Sequence, residues 1–233
     1  LLFGIIAIPL IGILLKKVNN NNLSLILCLI ICSLNAYLIE YSQELRVYSL
    51  IFIISIINLI SFLRIILEKK ENFTDYLFFG ILTIISLSLS PFLIAIVFSQ
   101  ILYCLYKHLF LKVNQKKNIL FIILLTILSI VINYKQINVL INIESPANLE
   151  PNLNFLKHLF LPSFFGSKIM GLIFLIILIF SLVLNRNKIL FKNHKYLFFL
   201  ILLLSSYSIP LSFYVFGIPL FHDRYIIFVL ISF

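Results

Sequence analysis

Long apolar runs, separated by short clusters of lysine, asparagine and tyrosine, recur from one end of the chain to the other. They fall at 1–15, 23–39, 47–67, 74–90, 92–111, 119–134, 168–184, 196–216 and 225–233. A helix rising 1.5 Å per residue needs about 20 residues to cross a hydrocarbon core of about 30 Å. The runs lack the period-two alternation of barrel strands, and a helix satisfies all its backbone amides internally. The pattern therefore predicts an all-α, polytopic membrane bundle with about nine transmembrane segments, the first and last cut short. One domain spans 1–233, and its longest connection, 135–167, is expected to be an outer loop. The first run has no basic start and no small-residue cleavage site, so it does not read as a signal peptide.

Composition agrees with the pattern. Hydrophobic residues make up 62% of the chain and charged residues 11%, with a mean hydropathy of +1.16. A water-soluble domain could not hide that much apolar surface. The net charge of +10 is unevenly spread. Lys16 and Lys17, then Arg64, Lys69 and Lys70, then Lys107, Lys112, Lys116 and Lys117, then Arg186, Lys188, Lys192 and Lys195 occupy alternate connections. The opposite set holds Arg46, Lys135, Lys157, Lys168 and Arg224. Positively charged connections stay in the cytoplasm, so the first set is expected inside and the second outside. Attraction to anionic headgroups accounts for the remaining charge without any nucleic-acid partner.

No ionisable residue stands in the middle of a run, which argues against an ion-coupled transporter, and no internal repeat is visible. Asn35, Asn58, Gln100 and Asn133 are the main polar interruptions, read as interhelical hydrogen-bonding groups. Cys28, Cys32 and Cys104 read as small buried hydrophobes; the first two lack the further ligands that zinc requires. His108, His158, His194 and His222 are read as solvated or interfacial.

Candidate chemistry collects at the outer surface. In YSQELRVY, Tyr41 to Tyr48, a helix continuing from the preceding run would align Tyr37, Tyr41, Glu44 and Tyr48 on one face. Spacing alone favours an interfacial belt of tyrosines over a site. In NFLKHLFLPSFFG the pattern suits a helix in the headgroup plane exposing Lys157 and His158, either holding a lipid phosphate or acting as a structural lid. In FHDRY, Arg224 either clamps a phosphate through its forked guanidinium or pairs with Asp223.

The order IPLIGILLKK, SLILCLIICSLNAYLIE, YSQELRVYSL and IFIISIINLISFLRIILEKK resembles the polytopic GT-C glycosyltransferases that use polyprenyl-phosphate sugars. That group includes the protein O-mannosyltransferase-like and aminoarabinose-transferase-like enzymes. In them an outer motif close to YSQEAR-x-Y follows a basic turn and an apolar span. DRYIIFVL resembles their arginine-tyrosine entry to a late span. The resemblance covers Leu1 to about Leu111 well, the middle loosely and the end moderately. Where the family often carries a threonine and histidine in the next outer turn, this chain has SLSLSPFL, so no histidine role transfers there.

The resemblance implies a transferase of a bacterial inner membrane that passes a sugar from a polyprenyl-phosphate donor to a lipid, glycan or protein acceptor of the envelope. A carboxylate would activate the acceptor while cationic groups, or a divalent metal, stabilise the leaving phosphate. Glu44 would be an auxiliary catalytic carboxylate, and Arg46 would neutralise donor phosphate. Tyr41 and Tyr48 would shape the pocket, and Arg224 with Tyr225 would supply a second phosphate contact. The family's principal acid lies in its first outer loop, which is expected before Leu1, so the 233 residues alone are expected to be inactive. A polysaccharide polymerase and a lipid-linked oligosaccharide flippase or other transporter are the alternatives. The first would concentrate arginines in large outer loops, and the second would need a polar central cavity.

Overall fold

The computed structural model describes residues 2–18, 21–35, 38–40, 48–68, 72–110, 116–141 and 194–215, and seven positions between 169 and 183. Every regular element among them is helical: α1 (Leu2–Val18), α2 (Asn22–Leu34), α3 (Tyr48–Glu68), α4 (Phe73–Leu89), α5 (Ile94–Phe110), α6 (Lys116–Ile132), α7 (Tyr134–Ile141) and α8 (His194–Val215). A 3₁₀ turn, Pro91–Leu93, joins α4 to α5, as proline at the first helical position favours. The all-α expectation therefore holds. Among the described residues two helices, Tyr48–Glu68 and Pro91–Phe110, are long and apolar enough to cross a membrane by length and composition.

Several expected boundaries shift for local reasons. The 23–39 run does not form one helix: α2 stops at Leu34, where Asn35 is extended (φ −68°, ψ 115°). The Asn35 carboxamide oxygen accepts from the Leu38 amide at 3.0 Å, and residues 38–40 start a new helical turn. Asn35 therefore caps a helical turn, because its side chain competes for local backbone donors. At the other end of α2, Asn21 accepts from the Leu23 amide at 3.1 Å, an ordinary N-cap. The expected outer loop from 135 begins instead as helix α7. Its start is set by Asn133, whose carbonyl accepts from the amides of Gln136 and Ile137, both at 3.1 Å.

The helix α3 lies at the centre. Residues from Ile51 to Ile66 are buried around most of its circumference, with α1, α4 and α6 packed against it. Four helices meet at an aromatic cluster: the Phe62 ring of α3 lies 6.1 Å from Phe79 of α4, 6.2 Å from Tyr103 of α5 and 5.2 Å from Phe198 of α8. Tilted and edge-on rings at such separations stabilise beyond their buried area. The Leu125 side chain of α6 packs onto the α4 backbone at Gly80, where an added Cβ would stand 3.1 Å from Leu125 Cδ2.

The sidedness of the outer helices is opposite to that of a helix at a water surface. In α4, Thr83 and Ser86 are buried while Phe73, Leu77, Phe78, Ile81 and Ile85 are exposed. In α6, Asn118, Thr126 and Ser129 face inward while Leu120, Leu124, Ile127, Leu128 and Val131 face outward. The positions described between 169 and 183 are helical, and they too expose apolar side chains, among them Ile169, Ile176 and Phe180.

Candidate functional site

Of the six residues singled out in the sequence, the structure describes Tyr48. It opens α3 and is half-buried against the central core. Tyr41, Glu44, Arg46, Arg224 and Tyr225 lie outside the described residues, as does the Lys157–His158 segment. The expected alignment of Tyr37, Tyr41, Glu44 and Tyr48 on one continuing helix falls mostly on the same undescribed positions. The break at Asn35 means that such a helix cannot be continuous with α2.

The contacts around α3 define two ends of the bundle. At the end away from Tyr48, the Lys17 ammonium of α1 pairs with the Glu68 carboxylate. Lys195 at the start of α8 donates to the Lys17 carbonyl at 2.8 Å. Lys107 of α5 donates to the Ile66 carbonyl at 3.1 Å. The Arg64 Nε of α3 lies 3.3 Å from Asp75 Oδ1 of α4. The three lysine contacts have a common physical cause. The last carbonyls of a helix lack intrahelical partners and carry the negative end of its dipole. The helix α3 has no basic residue in its own last turn and ends on an acidic one. Lysines from α1 and α5 supply what it lacks, and Lys195 adds a donor to the last carbonyls of α1, which already carries Lys16 and Lys17 in its own last turn.

Lys107 was expected in a basic connection. It is instead in the last turn of α5, and its side chain is only 7% exposed. Arg64 likewise belongs to α3 rather than to the connection after it. His108 is exposed, as expected, and Cys104 is buried, whereas Cys28 and Cys32 are only half-buried. Replacing Lys107 by Met, which keeps the length of the stem but removes the ammonium, is expected to destabilise the bundle by about 1–2 kcal/mol. Chemical unfolding in detergent checks this, and unchanged stability would show that the α3 terminus needs no cation from α5.

A second polar group lies deep between the helices. Asn58, ten residues from either end of α3, donates through Nδ2 to Thr83 Oγ1 of α4 at 3.0 Å. Its Oδ1 accepts from Gln100 Nε2 of α5 at 2.6 Å, and Thr83 Oγ1 in turn donates to the Phe79 carbonyl at 2.8 Å. The triad pins three helices in register, as the sequence reading of Asn58 and Gln100 expects.

Near the Tyr48 end of the bundle, Asn133 joins α6 to α4. Ser88 Oγ donates to Asn133 Oδ1 at 2.8 Å, while Asn133 Nδ2 donates to the carbonyls of Ser129 at 2.9 Å and Ile84 at 3.3 Å. With its amide nitrogen turned toward α4, Gln136 of α7 donates to the Leu87 and Ser88 carbonyls, both at 3.3 Å. Here, too, an asparagine read as an interhelical group is one.

Sequence reasoning missed Thr83, Ser86, Asn118, Thr126 and Ser129 as inward-facing positions. A signal was present in α6. Asn118, Thr126, Ser129 and Asn133 follow at intervals of eight, three and four, which is one face of a helix. Among the described residues no three His, Cys, Asp or Glu side chains converge as a metal group would require. What the described bundle does chemically is to hold the motif end of α3 at a fixed place, opposite the lysine end. Comparison with known protein families, curated proteins and solved structures finds no match to this chain.

Proposed function

We propose that the chain is part of a multi-pass membrane glycosyltransferase that moves a sugar from a polyprenyl-phosphate carrier to an acceptor of the cell envelope at the outer face of a bacterial inner membrane. The observation that carries this reading is the position of Tyr48. The last residue of YSQELRVY is the first residue of the central helix, at the end of the bundle away from Lys17, Lys107 and Lys195.

The membrane setting draws support from the outward Phe, Leu and Ile faces of α4 and α6 and from the Thr, Ser and Asn turned inward. At 17 residues each, α1, α4, α5 and α6 measure about 26 Å along their axes. That is the short end of what spans a bilayer, and local thinning accommodates it. Lysine-rich ends stay in the cytoplasm, so YSQELRVY leaves the membrane outside.

In the proposed reaction the acceptor oxygen attacks the anomeric carbon, the bond from that carbon to the phosphate oxygen breaks, and polyprenyl phosphate leaves. Glu44 orients the acceptor as an auxiliary carboxylate, Arg46 and Arg224 with Tyr225 neutralise the phosphate, and Tyr41 and Tyr48 wall the pocket. The proton of the acceptor hydroxyl passes to a carboxylate base that is none of these six residues.

The orientation is tested with single cysteines placed at Ser42 or Lys117 after Cys28, Cys32 and Cys104 are changed to Ser. A membrane-impermeant maleimide is expected to label Ser42→Cys in intact cells, and Lys117→Cys only after permeabilisation. The reverse pattern, or labelling of both positions from one side, would remove the basis for an outer-face transferase.

A further inference from the structure

We propose that a structural water molecule sits between α3 and α5, bridging Gln100 Oε1 and Tyr103 Oη. Both side chains are fully buried, and neither of these two oxygens has a hydrogen-bond partner. They stand three residues apart on α5 and so occupy adjacent turns of one face. That face is turned to α3: Gln100 bonds Asn58, and the Tyr103 ring lies edge-on to Phe62, four residues further along α3.

Neither group is free to turn away. The Gln100 amide is anchored through Nε2 by the 2.6 Å bond to Asn58, which fixes where Oε1 points. The Tyr103 ring is held between Phe62 at 6.2 Å and Phe198 at 5.1 Å, which fixes its hydroxyl. Side chains on a helix lean toward its N-terminus, so the Tyr103 hydroxyl leans toward the turn that carries Gln100. Left dry, each oxygen would bear the full cost of losing water.

A neutral occupant fits the surroundings. The Asn58, Thr83, Gln100 and Tyr103 groups carry no charge, and the nearest charged residue along this face of α5, Lys107, is a cation that disfavours a second one. Water can donate to Gln100 Oε1 and exchange a hydrogen bond with Tyr103 Oη, which meets the minimum of two polar partners for a buried water.

The test is the sign of a conservative change. Removing an idle buried hydroxyl relieves an unsatisfied group and leaves stability equal or higher, whereas removing one that holds a water lowers it. Tyr103→Phe in the full chain is expected to lower the melting midpoint by about 2–4 °C. A high-resolution map of the unmodified protein is expected to show one water between the two oxygens, and it decides the matter if the variant does not fold. A midpoint that is unchanged or raised would overturn the proposal. So would a map in which Tyr103 Oη donates directly to Gln100 Oε1 with nothing between them.

Discussion

Replacing Asn58 by Leu is expected to destabilise the bundle by about 1–3 kcal/mol, a large effect for a substitution that keeps the side chain's branching and number of heavy atoms. Asn58 is the shared partner of α4 and α5. Its loss leaves the Gln100 amide nitrogen without its partner in a place with no solvent exposure, where the amide oxygen has only the proposed water. Thr83 is affected less, because its hydroxyl keeps the Phe79 carbonyl. The cost arises from the orphaned amide rather than from the bonds themselves, since interhelical hydrogen bonds in membranes average only about 0.6 kcal/mol. The double variant Asn58→Leu with Gln100→Met is therefore expected to be more stable than Asn58→Leu alone. Denaturant titration of the purified protein in mixed micelles measures both. A double variant that loses the sum of the two single losses would show that the amides act independently and do not form a cluster.

In cells expressing the protein from its complete coding sequence, Glu44→Gln is expected to lower transfer from a polyprenyl-phosphate sugar about 100-fold. Arg46→Ala is expected to cost about 10²–10³-fold, the usual effect of removing one group that stabilises developing charge. The two substitutions test different parts of the proposed chemistry. Glutamine keeps the shape of Glu44 while removing its negative charge and replacing one of its two acceptor oxygens by a donor, which an orienting carboxylate does not tolerate. Alanine removes the positive charge that would face the departing phosphate. Arg46→Lys should recover only part of the loss, because an ammonium lacks the forked donors that match phosphate oxygens. Turnover unchanged in both variants, with normal membrane insertion, would sink the assignment of YSQELRVY to the site.

The helices were legible in the sequence because apolar runs and their polar breaks mark them directly. The expected 47–67, 74–90 and 196–216 runs correspond to α3, α4 and α8 within two residues at each end. The sequence was less telling where a polar side chain also serves the backbone at a helix end. Asn35 looks like Asn58 and Asn133 in a one-dimensional reading, yet its carboxamide oxygen accepts from the backbone at a helix end while theirs accept from side chains of other helices. Lys107 was misassigned for a related reason: a charge near the end of an apolar run reads as solvated, and only the fold shows the α3 carbonyl it reaches. The candidate site was legible as a motif and as a charge asymmetry. The arrangement of Tyr41, Glu44 and Arg46 around a substrate depends on tertiary placement that spacing does not encode, because both an interfacial belt and a pocket use the same residues at the same intervals.

The central claim is that this protein consumes a carrier-linked sugar at the membrane, and the most direct measurement is donor turnover in proteoliposomes. The protein expressed from its complete coding sequence would be supplied in turn with a labelled polyprenyl-phosphate sugar and with the matching nucleotide sugar, together with an envelope extract as acceptor. The account predicts release of polyprenyl phosphate and label in the acceptor from the first donor, and no turnover of the second. Transport of the carrier-linked sugar across the bilayer with its sugar–phosphate bond intact, or no consumption of it at all, would contradict the account.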